Sequence, residues 1–383
     1  MKILIQGDLF VRVDIVRQHV ERELAGLAEP LEVQTIELPL PYAAIPLPTL
    51  DDLRAGRLVT NEFSDPVRGV HEFYDDVDLL VEPARGADFL IVHTAAVTRE
   101  VLLASDRLKA VVCGRGGPVN VNVRAATELG IPVINAPGRN AKAVAQFIIG
   151  LILAETRTIV KGWDGLKSGR WLTGLYHYEA ASPGLDGAVL GMVGFGRVGR
   201  CLAPLARAFN MALVAYDPYV TPEDMAQFGV TPADSLDALI AQADYLTLLA
   251  RYSAETHHLI GAREIALMKP TAYLVNTARG GLVDYDALYA ALRDRRIKGA
   301  LLDVYADEPL PCDSPLLTLD NVLLTPHIAG SAQETVHVTA RIVAEEVGRM
   351  VRGERPLYCI NPQVWDAGRL AQSSRRMPDS RKA

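Results

Sequence analysis

The sequence predicts two α/β units in tandem, each built on a doubly wound parallel sheet. Short, continuous apolar runs of strand length recur along the chain, as strands buried on both faces require. Amphipathic segments of helix length alternate with them. The chain is also long, with 383 residues of which 49% are apolar and 22% charged. One hydrophobic core stops growing near roughly 250–300 residues, so two domains are expected.

Residues 2–6 read as a strand, and residues 14–27 as a helix with Ile15, Val16, Val20 and Leu24 on one face. Residues 31–38 form a second strand, and residues 41–48 carry three prolines that break the pattern. Residues 73–80 read as a helix, 88–92 as a buried strand and 100–105 as a short helix. The strand 109–113 runs into the glycine-rich turn 114–118. A second series begins after Asn135-Ala-Pro-Gly138. Ala141–Thr156 reads as a long buried helix with apolar Val144, Phe147, Ile148, Leu151 and Ile152, capped by Asn140 or Gly138. Val189–Val193 is a strand, 197–209 a helix and Ala212–Tyr216 a strand. The segments 238–243, 245–249, 272–276 and 299–304 continue the alternation.

Charge and cysteine usage exclude several classes of function. The formal net charge of −7 and pI near 5.7 argue against a polyanion such as nucleic acid and favour a small metabolite. Cys113, Cys201, Cys312 and Cys359 lie far apart without a CxxC pair, which suits a reducing compartment and suggests neither disulfides nor a metal site. The longest apolar run, about residues 147–154, is far short of the roughly 20 residues of a membrane helix. The N-terminus lacks the apolar core of about 7–15 residues of a signal peptide. A cytoplasmic protein without a membrane partner is expected.

Gly194-Phe-Gly196-Arg-Val-Gly199 follows a predicted strand and opens a predicted helix. The first glycine suits a tight turn, the second a close approach to a pyrophosphate, and the third close helix–strand packing. The helix N-terminus presents unpaired N–H groups to the phosphates. Asp217, 18 residues after Gly199, ends the next strand, where an acid binds the adenosine ribose hydroxyls and repels a 2′-phosphate. NAD is therefore favoured over NADP.

Three further polar residues lie just beyond predicted strand ends, where open α/β sheets bind ligands. They are Arg279 in Asn276-Thr-Ala-Arg-Gly-Gly-Leu-Val-Asp284, Glu308 in Leu302-Asp-Val-Tyr-Ala-Asp-Glu-Pro309, and His327 in Leu324-Thr-Pro-His-Ile-Ala-Gly330. Hydride transfer to or from a hydroxy acid needs a cation for the carboxylate, for which arginine is suited. It needs an acid/base with a pKa near the working pH, for which histidine is suited, and a carboxylate orients that histidine. The two glycines after Arg279 suit close ligand approach. The competing readings are a surface arginine, a loop carboxylate and a core histidine.

These motifs, in this order and spacing, resemble those of the D-isomer-specific 2-hydroxyacid dehydrogenases. That family contains D-3-phosphoglycerate, D-lactate, glycerate and formate dehydrogenases. The resemblance runs from about Val92 to about Asn361 and includes Gly130-Ile-Pro-Val-Ile-Asn-Ala-Pro-Gly-Arg-Asn140. It implies a Rossmann nucleotide-binding domain, residues 139–329, inserted into a flavodoxin-like substrate domain, residues 1–138 and 330–383. Hinges are implied near Gly138 and Ala329, and the helix Gln333–Val351 returns to the substrate domain. Arg279 is then expected to bind the substrate carboxylate and polarise the C2 oxygen, with His327 as acid/base and Glu308 as its partner. Asp303 is expected to hold the nicotinamide carboxamide, with Thr277 and Ala278 near the nicotinamide half. N–H groups of Arg197 and Val198 are expected to meet the pyrophosphate. The turn Arg115-Gly116-Gly117 is expected to present N–H groups to the substrate carboxylate, with His93 and Thr94 bordering the same cleft. The aromatic stretch 163–183 resembles the arm of a homodimer.

Some residues depart from the family pattern. The loop 116–122 is short and lacks the common aspartates, Gln146 replaces a common glutamate, and Arg251-Tyr252 replaces a common Pro-Leu pair near the adenosine. His93 stands where phosphoglycerate dehydrogenases carry an arginine for the phosphate. The resemblance therefore implies a 2-hydroxy or 2-keto acid substrate, with phosphoglycerate dehydrogenase proper as an alternative. Phosphite or formate dehydrogenases and a dinucleotide-sensing corepressor with the same Arg–Glu–His set are further alternatives.

Overall fold

The computed structural model describes residues 1–27, 29–38, 62–74 and 76–366. The chain forms two compact units and passes between them after Arg139 and again after Ser331. The second unit is thus an insertion in the sequence of the first. The proline-rich stretch 41–48 lies outside the described residues.

The first unit holds β1 (Lys2–Asp8), β2 (Glu32–Leu38), a hairpin of β3 (Glu62–Asp65) and β4 (Val70–Tyr74), then β5 (Phe89–Val92), β6 (Ala110–Cys113) and β7 (Val133–Ile134). Its main sheet has the order β2-β1-β5-β6-β7, with every pairing parallel. Leaving out the hairpin, that is the flavodoxin-like 2-1-3-4-5 order. Alternate residues of β1 serve opposite faces, as the strand period dictates. Ile3 and Ile5 pack with Val16 and Val20 of α1 (Val13–Glu23) and with Ala340, Val343 and Val347 of the returning helix Gln333–Val351. Leu4 packs on the other face with Val101 of α2 (Arg99–Ala104) and Ala125 of α3 (Val123–Glu128).

The second unit holds β8 (Val189–Val193), β9 (Ala212–Tyr216), β10 (Thr231–Pro232), β11 (Tyr245–Leu248), β12 (Tyr273–Asn276), β13 (Gly299–Leu302) and β14 (Val322–Leu324). They form one parallel sheet in the order β10-β9-β8-β11-β12-β13-β14, the Rossmann order extended by a seventh strand. The apolar stripe of α4 (Ala141–Thr156) packs Val144, Ile148 and Ile152 with Leu202 and Ala206 of α6 (Arg197–Ala208), with α5 (Ile159–Lys167) lying between them in sequence.

Two expectations are corrected. Residues 73–80 are not a helix. Phe73 and Tyr74 belong to β4, and turns follow. Phe73 pairs with Phe63 across the hairpin, and the Asp76 carboxylate accepts from the Asp78 N–H, a local turn that competes with helix formation. Asn140 does occupy the N-cap position of α4, but its side chain makes no capping hydrogen bond. It lies instead against Gly330, where a Cβ would come within 2.8 Å of Asn140 Nδ2.

Candidate active site

The glycine-rich turn joins β8 to α6. Gly194 has φ +95°, and a Cβ there would lie 2.9 Å from the Ala250 nitrogen, so the turn requires glycine. At Gly199 a Cβ would meet the Phe195 ring at 2.9 Å. At Gly196 it would meet nothing within 4 Å, so this part of the turn faces open space. Arg197 and Val198 are the first residues of α6, directly after the glycine turn. The half-buried Asp217 carboxylate accepts from the Phe195 N–H at 2.8 Å and from the Tyr219 N–H at 2.9 Å, tying the end of β9 to the turn. Beyond β12, the Thr277 hydroxyl is buried without a hydrogen-bond partner among the described residues. Open space at Gly196 and an orphaned hydroxyl at Thr277 fit a bound dinucleotide.

Arg279 is exposed just past β12. The fully buried Asn276 shapes its approach, its Oδ1 accepting from the Ala278 N–H at 3.1 Å and its Nδ2 donating to the Arg279 carbonyl at 3.0 Å. Ligand approach does not explain the two glycines that follow, and this corrects the sequence reading. A Cβ on Gly280 would collide with the Tyr305 carbonyl at 1.7 Å, and one on Gly281 would strike the Tyr252 ring at 2.6 Å. Both glycines answer contacts within the protein.

Glu308 and His327 meet directly. His327 Nδ1 lies 2.6 Å from Glu308 Oε2, and Glu308 Oε1 accepts from the Tyr305 N–H at 2.9 Å. The carboxylate therefore fixes the ring with Nδ1–H toward Glu308, which leaves Nε2 as the nitrogen not engaged by Glu308. Burial alone would lower the His327 pKa, but the hydrogen bond and charge of Glu308 outweigh it and raise it above the ordinary value. The Arg279 charge acts in the opposite sense on His327.

Asp303 has partners in the segment around His327. Its carboxylate is fully buried and is engaged by the segment that carries His327. It accepts from the Thr325 hydroxyl at 2.6 Å, the Ile328 N–H at 2.9 Å and the Ala329 N–H at 2.8 Å. His327 itself has a left-handed φ of +53°, a conformation a histidine adopts only when neighbours hold it. Asp303 supplies that hold from both sides.

In the first unit, His93 and Thr94 follow β5 and are both buried. Asp8 at the end of β1 gathers them: His93 Nδ1 lies 2.5 Å from Asp8 Oδ2, and the Thr94 hydroxyl donates to the same oxygen at 3.0 Å. The buried Gln6 side chain accepts from the N–H groups of His93, Thr94 and Ala95. Neither Gln6 nor Asp8 stands out in the sequence, and only the parallel register of β1 with β5 brings them to residue 93. The Arg115 guanidinium pairs with Glu72 through both its carbonyl and its carboxylate. The next residues, Gly116 and Gly117, leave their N–H groups without a hydrogen bond among the described residues.

Comparison with known proteins identifies the family. The sequence model of the D-isomer specific 2-hydroxyacid dehydrogenase NAD-binding domain matches residues 149–329. The chain is 41% identical over 287 residues to a D-3-phosphoglycerate dehydrogenase of Methanocaldococcus jannaschii, which covers 74% of this chain and 53% of that protein. It thus spans about half the length of that relative. It is 36% identical to a glyoxylate reductase of Korarchaeum cryptofilum, covering 75% of this chain and 86% of that protein. Among solved structures, the TT0316 protein from Thermus thermophilus superposes with a TM-score of 0.71 at 30% identity, covering 94% of this chain and all of that one. The chain belongs to the D-isomer-specific 2-hydroxyacid dehydrogenase family, and residues 149–329 are its NAD-binding domain.

Proposed function

We propose that this chain oxidises a D-2-hydroxy acid, or reduces the matching 2-keto acid, with His327 as acid/base, Glu308 as its partner and Arg279 holding the carboxylate. One observation carries the reading most. The unit with the dinucleotide turn also holds an imidazole with its Nδ1 locked on a carboxylate at 2.6 Å. Bound NAD supplies the hydride acceptor in oxidation and the hydride donor in reduction. In oxidation, neutral His327 takes the hydroxyl proton on Nε2. In reduction, protonated His327 returns it, and its raised pKa keeps that proton available to higher pH. Arg279 holds the substrate carboxylate and balances negative charge developing on the C2 oxygen. Thr277 and Ala278 border the nicotinamide half, and the N–H groups of Arg197 and Val198 receive the pyrophosphate. Asp217 favours NAD over NADP.

In this reading residues 139–329 form the nucleotide domain. Residues 1–138 and 330–383 form the substrate domain, where the free N–H groups of Gly116 and Gly117 suit a carboxylate. A homodimer is also proposed. Trp163, Trp171, Tyr176 and Tyr178 are 62%, 80%, 97% and 91% exposed, an apolar area that a second copy would cover. A monomer by light scattering at micromolar concentration would remove that part. The activity is tested by NADH oxidation against glyoxylate, hydroxypyruvate, 3-phosphohydroxypyruvate and keto sugar acids. Turnover on at least one is expected. No turnover on any, or strong preference for NADPH, counts against the assignment.

A further inference from the structure

Two phenols of the second unit carry hydroxyls that the proposed chemistry does not use. Tyr305 follows β13 and is buried, and Tyr285 opens the helix Tyr285–Arg293 and is half-buried. Burial pushes both well above the ordinary tyrosine range, so each keeps its proton at any working pH and each hydroxyl is a standing donor. The Tyr305 hydroxyl donates to the Thr325 carbonyl at 2.8 Å and also lies 3.2 Å from the Leu302 carbonyl. The Tyr285 hydroxyl donates to the carbonyl of Val304, the residue before Tyr305.

These bonds run between the three segments that carry Arg279, Glu308 and His327. The Thr325 carbonyl also accepts from the His327 N–H at 3.1 Å, so the Tyr305 hydroxyl braces the turn in which His327 takes its φ of +53°. The Tyr305 N–H donates to Glu308 Oε1 at 2.9 Å, the other oxygen of the carboxylate whose Oε2 meets His327. One residue thus grips both members of the pair, the carboxylate by its N–H and the backbone of the imidazole by its side chain. The Tyr305 carbonyl sits against Gly280, the residue after Arg279. Tyr285 closes the frame. Its hydroxyl holds Val304, and Asn276 acts on that hydroxyl by hydrogen bonding while its Nδ2 donates to the Arg279 carbonyl.

We propose that Tyr305 and Tyr285 are positioning residues, the Tyr305 hydroxyl setting His327 against Glu308 and the Tyr285 hydroxyl setting the Arg279 segment against the chain that follows β13. This rests on the dehydrogenase reading above. Phenylalanine at either position keeps the ring and removes only the donor, and the two losses read out differently. Tyr305→Phe should slow hydride transfer in single-turnover NADH oxidation by roughly 5–10-fold, the scale of one hydrogen bond, with KM for the keto acid within about twofold of wild type. Tyr285→Phe should raise that KM by roughly 5–10-fold and change the single-turnover rate by less than about threefold, because it loosens a group that binds. A variant that merely folds less well loses amplitude and moves neither constant. Both constants unchanged in both variants, or the two effects exchanged, overturns the proposal.

The second test needs no turnover. The His327 ring is acted on by Glu308 and Asp303, which raise its pKa, and by Arg279, which lowers it. A ring seated less firmly on Glu308 loses part of the raising contact. In long-range 1H–15N NMR titrations the His327 midpoint should therefore fall by about half a pH unit in Tyr305→Phe and stay in place in Tyr285→Phe. An inert protein with that fall loses the dehydrogenase reading and keeps the Tyr305 tie. An active enzyme with both constants and the midpoint unchanged keeps the reading and loses the tie.

Discussion

Asp8–His93 in the first unit and Glu308–His327 in the second are the same two chemical groups at nearly the same separation, 2.5 and 2.6 Å. Both lie just past strand ends of doubly wound sheets. Their surroundings differ. The His93 and Asp8 side chains are 8% and 0% exposed, and those of His327 and Glu308 are 42% and 25% exposed. Burial penalises the charged imidazole in both, because a desolvated cation loses its hydration. At His93 that penalty wins and the pKa falls to about 4. At His327 the carboxylate wins and the pKa rises. One contact therefore yields two devices, a fixed neutral acceptor in the first unit and an exchangeable proton in the second. A carboxylate–imidazole contact by itself does not identify an acid/base; its access to water decides.

The largest expected effect tests the exchangeable member. His327→Gln should reduce turnover on the best 2-keto acid by roughly 10²–10⁴-fold, the usual share of general acid–base catalysis. Near-wild-type turnover in steady-state assays would break the assignment. An equal loss from His93→Gln would erase the distinction between the pairs. The next effect is on stability and belongs to the buried member. Asp8 also accepts from the N–H groups of Phe10 and Val11, so Asp8→Asn leaves buried donors poorly paired. A loss of about 1–3 kcal/mol in urea unfolding is expected. Glu308→Gln, at a half-exposed pair, should stay within about 0.5 kcal/mol of wild type. Equal losses would show that burial does not separate the two.

This contrast also explains what the sequence made legible. The alternation of strand and helix survives because the central strands, such as β5, β6, β12 and β13, are short buried runs and the main helices carry an apolar stripe, both local signals. Arg279, Glu308 and His327 stand out because each falls within a few residues of a strand end beside glycine or proline. Gln6 and Asp8 also flank a glycine, Gly7, at a strand end, yet nothing in the sequence names their partners. Asp8 looks like an ordinary acid after a strand, and it gains meaning only when β1 and β5 pair in parallel and set it beside residue 93. Asp303 is legible as a functional position. Its engagement with the backbone on either side of His327 is not, because that depends on the left-handed turn at His327. Gly280 and Gly281 mislead for a related reason. A glycine pair announces close approach without naming the partner, and here the partners are Tyr305 and Tyr252.

The smallest expected effects are in the pH dependence of folding, and they separate the pairs by sign. His93 is at about 4 when folded and near 6.5 when unfolded. Between those values the unfolded chain binds more protons, so stability is full above about 6.5 and is lost as pH falls toward 4. About 1 kcal/mol should disappear between pH 6.5 and 5.5, and His93→Gln should flatten that slope. Asp8 adds nothing in this window, since its contribution is lost only as pH falls from about 3.9 through about 2. The raised pKa of His327 works the other way: its contribution is present below about 6.5 and is lost as pH rises through the folded value. Solvent screening of this half-exposed pair makes that loss small. His327→Gln should therefore act only above pH 6.5, removing a slight fall in stability and leaving the acid slope intact. Urea midpoints of the two variants from pH 5.5 to 8 decide the matter. If both flatten the same window, access to water is not what sets the two imidazoles apart.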